Sequence, residues 1–416
     1  MKKFMTFLTV LVLGIGFVFF CRENLDWELL KEPLTLDDIV WAPDGTHHFT
    51  HSESGHRTDG DDESAKTGFS GKTGNRENCD GNFEYAFSCL SGEEKTVYDE
   101  ILVSLQNCER ESALSTMDRD LIDRMFRCVM MDHPELFYVD GYKCTTYSRG
   151  DILSKMTFSG NLIYDKSEVK RRRKEIDAVV DEIVSKAPDT ADDYLLVRYA
   201  FDTVVSMTDY ELHSADSQNI CSVFLNHKSV CCGYSKAFQY LLLKLNVPST
   251  YVEGRVAWED TELHAWNMVR MNGKWYYMDV TAGDGQIGDG FSTSEMRERG
   301  FINYDYFGVT TEELMKSYQP DMPVELPVCT AIDDNYFVRE NAYFYSFDEG
   351  RLQDLFDRAY REGSPVVMFK CNDENVYRNM YLQLLGKNRI FDFVQGSPKT
   401  VYHVENEDCR SFLFWL

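Results

Sequence analysis

A helix signal followed by a hairpin signal, both between Ser229 and Thr281, constrains this chain more than any other feature. Tyr234, Ala237, Phe238, Leu241, Leu242 and Leu245 recur at steps of three and four, which defines one buried helix face. Asn246 and Pro248 mark its end, and Ser229 is the expected N-cap. Cys231 therefore falls in the first turn, where unsatisfied backbone N–H groups and the positive end of the helix dipole favour a thiolate. The same N–H groups can hold an oxyanion. Further on, Trp266 to Met271 and Lys274 to Val280 flank Asn272-Gly273, a strong hairpin signal. A two-residue loop sets Met271 opposite Lys274 and Trp266 opposite Asp279. His264 then faces Thr281, and Asp279 becomes its diagonal neighbour on the same face, at roughly 7–8 Å between backbones. An imidazole beside a carboxylate follows from parity alone. A loop one residue longer would put the two groups on opposite faces.

A cysteine at a helix start together with a carboxylate-oriented histidine is the layout of nucleophilic thiol catalysis. Asp279 would fix the imidazole tautomer and stabilise its protonated form. His264 would take the Cys231 proton and return it to the leaving group. The thiolate would attack a carboxamide or peptide carbonyl and give a thioester. The blander readings are a structural cysteine and an ordinary His–Asp hydrogen bond. A zinc site made of Cys231, Cys232 and His264 is disfavoured, because vicinal cysteines seldom chelate one ion and no second Cys-x-x-Cys knuckle appears.

Val230-Cys231-Cys232-Gly233-Tyr234-Ser235-Lys236-Ala237-Phe238, His264-Ala265-Trp266-Asn267 and Trp275-Tyr276-Tyr277-Met278-Asp279-Val280-Thr281 resemble the three successive motifs of the transglutaminase-like superfamily. In that family the motifs supply the Cys, His and Asp of a triad in that order, which the match assigns to Cys231, His264 and Asp279. Asp132 to Tyr138 and Asn303 to Phe307 resemble segments that bacterial exported members, both transglutaminase-like and protease-like, carry around this core. The resemblance implies an α+β fold: a papain-like core with the cysteine helix packed on an antiparallel sheet. An N-terminal helical region and a small C-terminal α/β domain would flank it. It implies a cysteine-dependent hydrolase or acyltransferase acting on amide bonds of a protein or peptide, either a peptidase or a protein-glutamine transferase. No metal or organic cofactor is indicated, and no Asp-x-Asp-x-Asp calcium loop occurs. Substrate or oxyanion roles fall to Gln218, Asn219, Cys232, Trp266 and Asn267, with core packing an equal reading for Trp266. Two positions depart from the family pattern. Cys232 stands where a cysteine is unusual, and a vicinal disulfide with Cys231 would silence the enzyme. Ala282 and Gly283 follow Thr281 where the family often has a tryptophan. The alternative function is a catalytically inactive transglutaminase-like surface protein that binds a partner.

The rest of the 416-residue chain frames this core. Asp and Glu outnumber Lys and Arg by 69 to 43, and the net charge of −26 argues against general nucleic-acid binding. Lys2 and Lys3 precede an uncharged run from Phe4 to Phe20, so residues 1–21 read as a signal peptide or membrane anchor. The expected location is extracytoplasmic, either secreted or tethered to the cell surface through residues 4–20. Residues 22–82 read as a disordered linker, in which His47, His48, His51 and His56 are solvated rather than metal ligands. Residues 83–165 form an N-terminal, mainly helical region, with a capping box at Ser91 to Glu94, a helix ended by Pro134 and a short strand at Leu136 to Val139. Residues 166–319 form the catalytic core. Pro320, Pro323 and Pro327 mark a boundary, and 320–416 alternates helix and strand. With export, some of the twelve cysteines would pair, Cys79 with Cys89 being the simplest choice.

Overall fold

The computed structural model describes residues 83–149, 152–257, 263–284, 301–396 and 400–416, with backbone only at 148–149 and 152–154, plus the backbone of 39–41 and 47–49. Expectations for residues 1–21, most of 22–82 and the Cys79–Cys89 pairing lie outside these residues. The stretch read as a linker does contain one ladder: β1 (Ile39–Trp41) pairs antiparallel with β2 (His47–Phe49). Ile39, Val40, Trp41 and Phe49 are strong strand formers, which is the physical reason for this departure.

The chain from Phe83 begins with α1 (Tyr85–Cys89) and α2 (Gly92–Gln106). The capping box is present, with the Ser91 N–H donating to Glu94 Oε2 at 2.6 Å. Next come β3 (Ser112–Ala113) and α3 (Arg119–Asp132), the latter capped by Asp118. Leu136 to Tyr138 are not a strand. They form turns closed by Leu136 N–H to His133 O and Val139 N–H to Leu136 O. Their apolar side chains are buried all the same, which is the signal that suggested a strand. The strand starts at Val139 and opens a long hairpin, β4 (Val139–Arg149) with β5 (Ile152–Leu162), against which β3 pairs. Two helices follow, α4 (Lys166–Ser185) and α5 (Asp193–Met207), each with an aspartate N-cap. The basic run in α4 is balanced by acids: Arg171 and Arg172 both pair with Glu168.

A parallel two-residue pair, β6 (Asp209–Tyr210) with β7 (Lys228–Ser229), brings the chain to α6 (Cys231–Lys244). This helix packs on an antiparallel five-stranded sheet of order β11-β10-β9-β8-β12. Its strands are β8 (Ser249–Val256), β9 (Leu263–Met271), β10 (Lys274–Met278), β11 (Phe307–Val309) and β12 (Tyr318–Pro320). The β9–β10 register is the expected one, with Lys274 opposite Met271 and Met278 opposite Asn267. Asn272 and Gly273 both have positive φ, 48° and 84°, as a type I′ turn requires.

The remainder carries a mixed sheet of order β13-β14-β16-β15 with two longer helices. Its strands are β13 (Tyr343–Phe344), β14 (Val366–Cys371), β15 (His403–Asn406) and β16 (Ser411–Trp415). The helices are α7 (Glu349–Glu362) and α8 (Glu374–Tyr381). Pro320 ends β12 inside the central sheet, and the chain beyond it stays bound to that sheet: Asp321 N–H donates to Glu253 O at 2.8 Å. Fold class is therefore mixed α+β, with a helix on an antiparallel sheet at its centre. Among the described residues no helix is long and apolar enough to cross a membrane.

Gly233 seats α6. A Cβ there would lie 2.6 Å from the Ser217 carbonyl oxygen and press on the Ser229 and Ser222 hydroxyls as well. Gly233→Ala should therefore lower the unfolding free energy by about 2–3 kcal/mol, in line with core overpacking. Urea unfolding of the full chain measures it.

Candidate active site

Cys231 is the first residue of α6, behind an extended Val230 that offers no side-chain cap. Ser229 does not cap the helix as expected. Its hydroxyl is instead 2.7 Å from Ser222 Oγ and 3.1 Å from Ser217 O, its acceptor. This serine cluster pulls residues 217–219 against the start of α6. Cys231 is 8% exposed and packs with Tyr251 of β8 and Ala265 of β9. The Ala265 backbone N–H is aimed at its sulfur. The sulfur thus sits over the β-strand position next to His264.

His264 and Asp279 meet as parity requires, with Nε2 to Oδ2 at 2.7 Å. The Asp279 carboxylate is 1% exposed and has a partner at every side. Oδ1 accepts the backbone N–H groups of Thr281 at 2.9 Å and Ala282 at 3.1 Å. Oδ2 accepts the Tyr318 hydroxyl at 2.7 Å as well as the imidazole. Burial alone would raise its pKa. His264, Tyr318 and the Ala282 N–H outweigh burial and hold it below the ordinary carboxylate value. Because Nε2 faces the carboxylate, Nδ1 is the nitrogen left to exchange a proton with a nucleophile. Trp266, fully buried, stacks beside the imidazole at 6.1 Å, and Tyr318 crosses it at 5.8 Å.

The two vicinal thiols bond to each other, and each shifts the other. The neighbouring Cys232 sulfur and burial push the Cys231 thiol up, outweighing the Ala265 N–H. Cys232 is the thiol drawn down, to about 6, by the hydrogen bond from Cys231 and by the Lys236 ammonium and Tyr251 hydroxyl. Tyr251 Oη lies 3.4 Å from Cys232 Sγ. Lys236, nearly buried, stands over the Tyr251 ring at 5.4 Å and donates to Gln218 O at 3.2 Å. Burial and the Cys232 sulfur thus oppose ionisation of Cys231, and a base beside it would offset them. Both cysteines are free, as are the other eight described ones.

The remaining candidates fall in different places. Gln218 lies in the segment held against α6, and its side-chain Oε1 is buried with no hydrogen-bond partner. Asn219 Oδ1 accepts the Cys221 N–H at 2.9 Å and is spent on local structure. Asn267 is not a pocket wall: it is fully buried and its Nδ2 donates to Ser235 O at 3.0 Å, tying β9 to α6. Trp266 belongs to the core cluster beneath the sheet, so packing is its role. Among the described residues no group of three His, Cys, Asp or Glu side chains is placed to hold a metal ion. Sequence reasoning missed Tyr318 and gave no role to Lys236. Lys236 was discoverable as the residue one helical turn after Cys232. Nothing local marks Tyr318.

With this geometry in place, comparison with known proteins agrees with the motifs. The family model of the transglutaminase-like superfamily matches residues 177–280 of the chain. No curated protein matches the chain. Among solved structures it is similar to a transglutaminase at 16% identity, covering 44% of this chain and 52% of that one, with a TM-score of 0.24. It is also similar to a provisionally described cysteine protease from Cytophaga hutchinsonii, at 14% identity, 33% and 61% coverage and a TM-score of 0.24. A provisionally described protease from Parabacteroides distasonis matches at 9% identity, 33% and 35% coverage and a TM-score of 0.21. The chain spans about half the length of the first of these.

Cys232→Ala removes the group that raises the Cys231 thiol. Cys231 should then alkylate several-fold faster at neutral pH, the gain in thiolate fraction being partly offset by the lower nucleophilicity of a more acidic thiol. Timed labelling followed by peptide mapping gives the rate.

Proposed function

We propose that the protein is a cysteine-dependent enzyme acting on amide bonds of a peptide or protein, through Cys231, His264 and Asp279. The 2.7 Å bond from His264 to the buried Asp279, one strand position from the cysteine at the start of α6, is the observation that carries this reading. His264 Nδ1 accepts the Cys231 proton as Sγ attacks the carbonyl carbon. The resulting imidazolium is stabilised by Asp279 through Nε2. Backbone N–H groups at the helix start and the side-chain amide of Gln218 are the candidate donors to the oxyanion. Collapse of the tetrahedral intermediate breaks the C–N bond. His264 passes its proton to the departing amine, and a thioester remains on Cys231. Water or a second amine then attacks the thioester, which distinguishes a peptidase from a protein-glutamine transferase.

We further place the enzyme outside the cytoplasm, secreted or surface-tethered, on the strength of Lys2, Lys3 and the apolar run Phe4 to Phe20. Fusing residues 1–22 to a reporter that works only after export should give signal, and a silent reporter would remove this part of the proposal.

A glutamine-containing peptide offered with a fluorescent amine reads both outcomes of the thioester. Amine incorporation identifies transfer, and ammonia or peptide release without incorporation identifies hydrolysis. Cys231→Ala should abolish either product, and Asp279→Asn should lower turnover by about a hundredfold or more. Cys232→Ala should retain activity. If Cys232→Ala abolishes turnover and Cys231→Ala does not, the nucleophile is misassigned.

A further inference from the structure

Tyr318 lies outside the three motifs and bonds directly to the proposed triad. Its hydroxyl donates to Asp279 Oδ2 at 2.7 Å, on the same oxygen that receives His264 Nε2. The ring is 3% exposed and is wedged between His264 at 5.8 Å, Trp266 at 5.0 Å and Tyr306 at 5.0 Å. The packed ring sets its O–H toward the carboxylate. We propose that Tyr318 is a positioning residue of the active site, which holds Asp279 ionised and its Oδ2 aligned on the imidazole.

Three observations carry the assignment. First, the carboxylate is completely enclosed, so each donor it keeps decides its charge state. The two backbone N–H groups occupy Oδ1. Tyr318 alone shares Oδ2 with His264. Without it, that oxygen would have a single partner and the Asp279–His264 bond would be free to tilt. Second, Tyr318 is supplied by the edge strand β12, which pairs with β8 through Tyr318 opposite Val256. Gly254, opposite Pro320, lets this strand approach: a Cβ on Gly254 would lie 2.8 Å from the Pro320 Cα and nearer still to the Gln319 carbonyl oxygen. Third, the residues leading into β12 are gripped from the C-terminal region. Ser317 Oγ donates to Asp408 Oδ2 at 3.0 Å, and Lys316 Nζ to Asp408 O at 3.1 Å. The tyrosine is thus fixed from two directions and acts on the nucleophile only through Asp279 and His264.

This inference rests on the proposed triad, and the test separates the two. The rate of Cys231 alkylation, resolved by peptide mapping, is followed against pH in the full-length wild type, Tyr318→Phe, Asp279→Asn and the double variant, with thermal unfolding alongside. Loss of the donor lets burial act on Asp279, so its pKa rises. With Asp279 less charged and free to tilt, the His264 imidazolium loses support and the thiolate paired with it forms at higher pH, so the acid limb of the Cys231 profile in Tyr318→Phe should move up and neutral-pH labelling should fall several-fold. In the Asp279→Asn background the same change should add nothing further. A lowered unfolding temperature with an unshifted profile makes Tyr318 merely structural and overturns the inference. So does an effect of equal size in the Asp279→Asn background. If wild-type Cys231 labels no faster than the thiols other than Cys232, the triad reading itself fails and takes this role with it.

Discussion

An ionised carboxylate sealed inside the protein is the constraint around which the central sheet is arranged. Asp279 leaves β10 at the point where strand pairing stops, and its own N–H donates to Tyr306 O. Its side chain then turns back to cap Thr281 and Ala282 while reaching His264 and Tyr318. A buried charge is tolerated only when donors replace the lost water. Here four do so, drawn from two strands and the turn that follows β10. Removing any one leaves the charge less compensated, so the geometry of the imidazole and the stability of the sheet edge depend on the same set of bonds.

The same balance explains why two adjacent cysteines have different characters. Both lie in the first turn of α6, where the dipole acts on each. What separates them is the company of their side chains. Cys232 faces Tyr251 and the Lys236 ammonium, and Cys231 faces the Ala265 N–H within reach of the Asp279 charge. A cation favours a thiolate and an anion opposes it. The dipole sets a common background, and the local charges differ between the two sulfurs.

The sequence made parts of this arrangement legible because they are local. The Asn272-Gly273 turn fixes parity, parity puts His264 and Asp279 on one face, and the spacing from Tyr234 to Leu245 fixes the face of α6. Where the reading failed, the governing contacts were distant. Leu136 to Tyr138 carry strand-like apolar residues, but bonds to His133 and Leu136 shape them as turns. The long β4–β5 hairpin went unseen because its Thr, Ser, Lys and Tyr residues blur the alternation that marks a strand. Ser229 could have capped α6 on pattern alone, yet Ser217 and Ser222 claim its hydroxyl. Tyr318 lies 39 residues beyond Asp279, and no periodicity links them.

The C-terminal region is joined to the core by buried charge rather than by a flexible joint. Lys370 of β14 is fully enclosed, donates to Asp305 O at 3.1 Å and forms an ion pair with Glu313. Asn406 holds Asp305 Oδ2 at 3.0 Å. An enclosed ion pair adds little net stability relative to apolar packing, but removing one partner strands the other and costs about 3–5 kcal/mol. Such a pair therefore works as a register pin: β14 can meet the 305–313 segment in one arrangement only. That segment begins beside Tyr306, which packs on Tyr318, and continues through Ser317 into β12. The pair lies apart from Asp279, yet the chain it contacts leads to the hydroxyl that meets that carboxylate. Residues after Pro320 thus grip the strand that carries Tyr318.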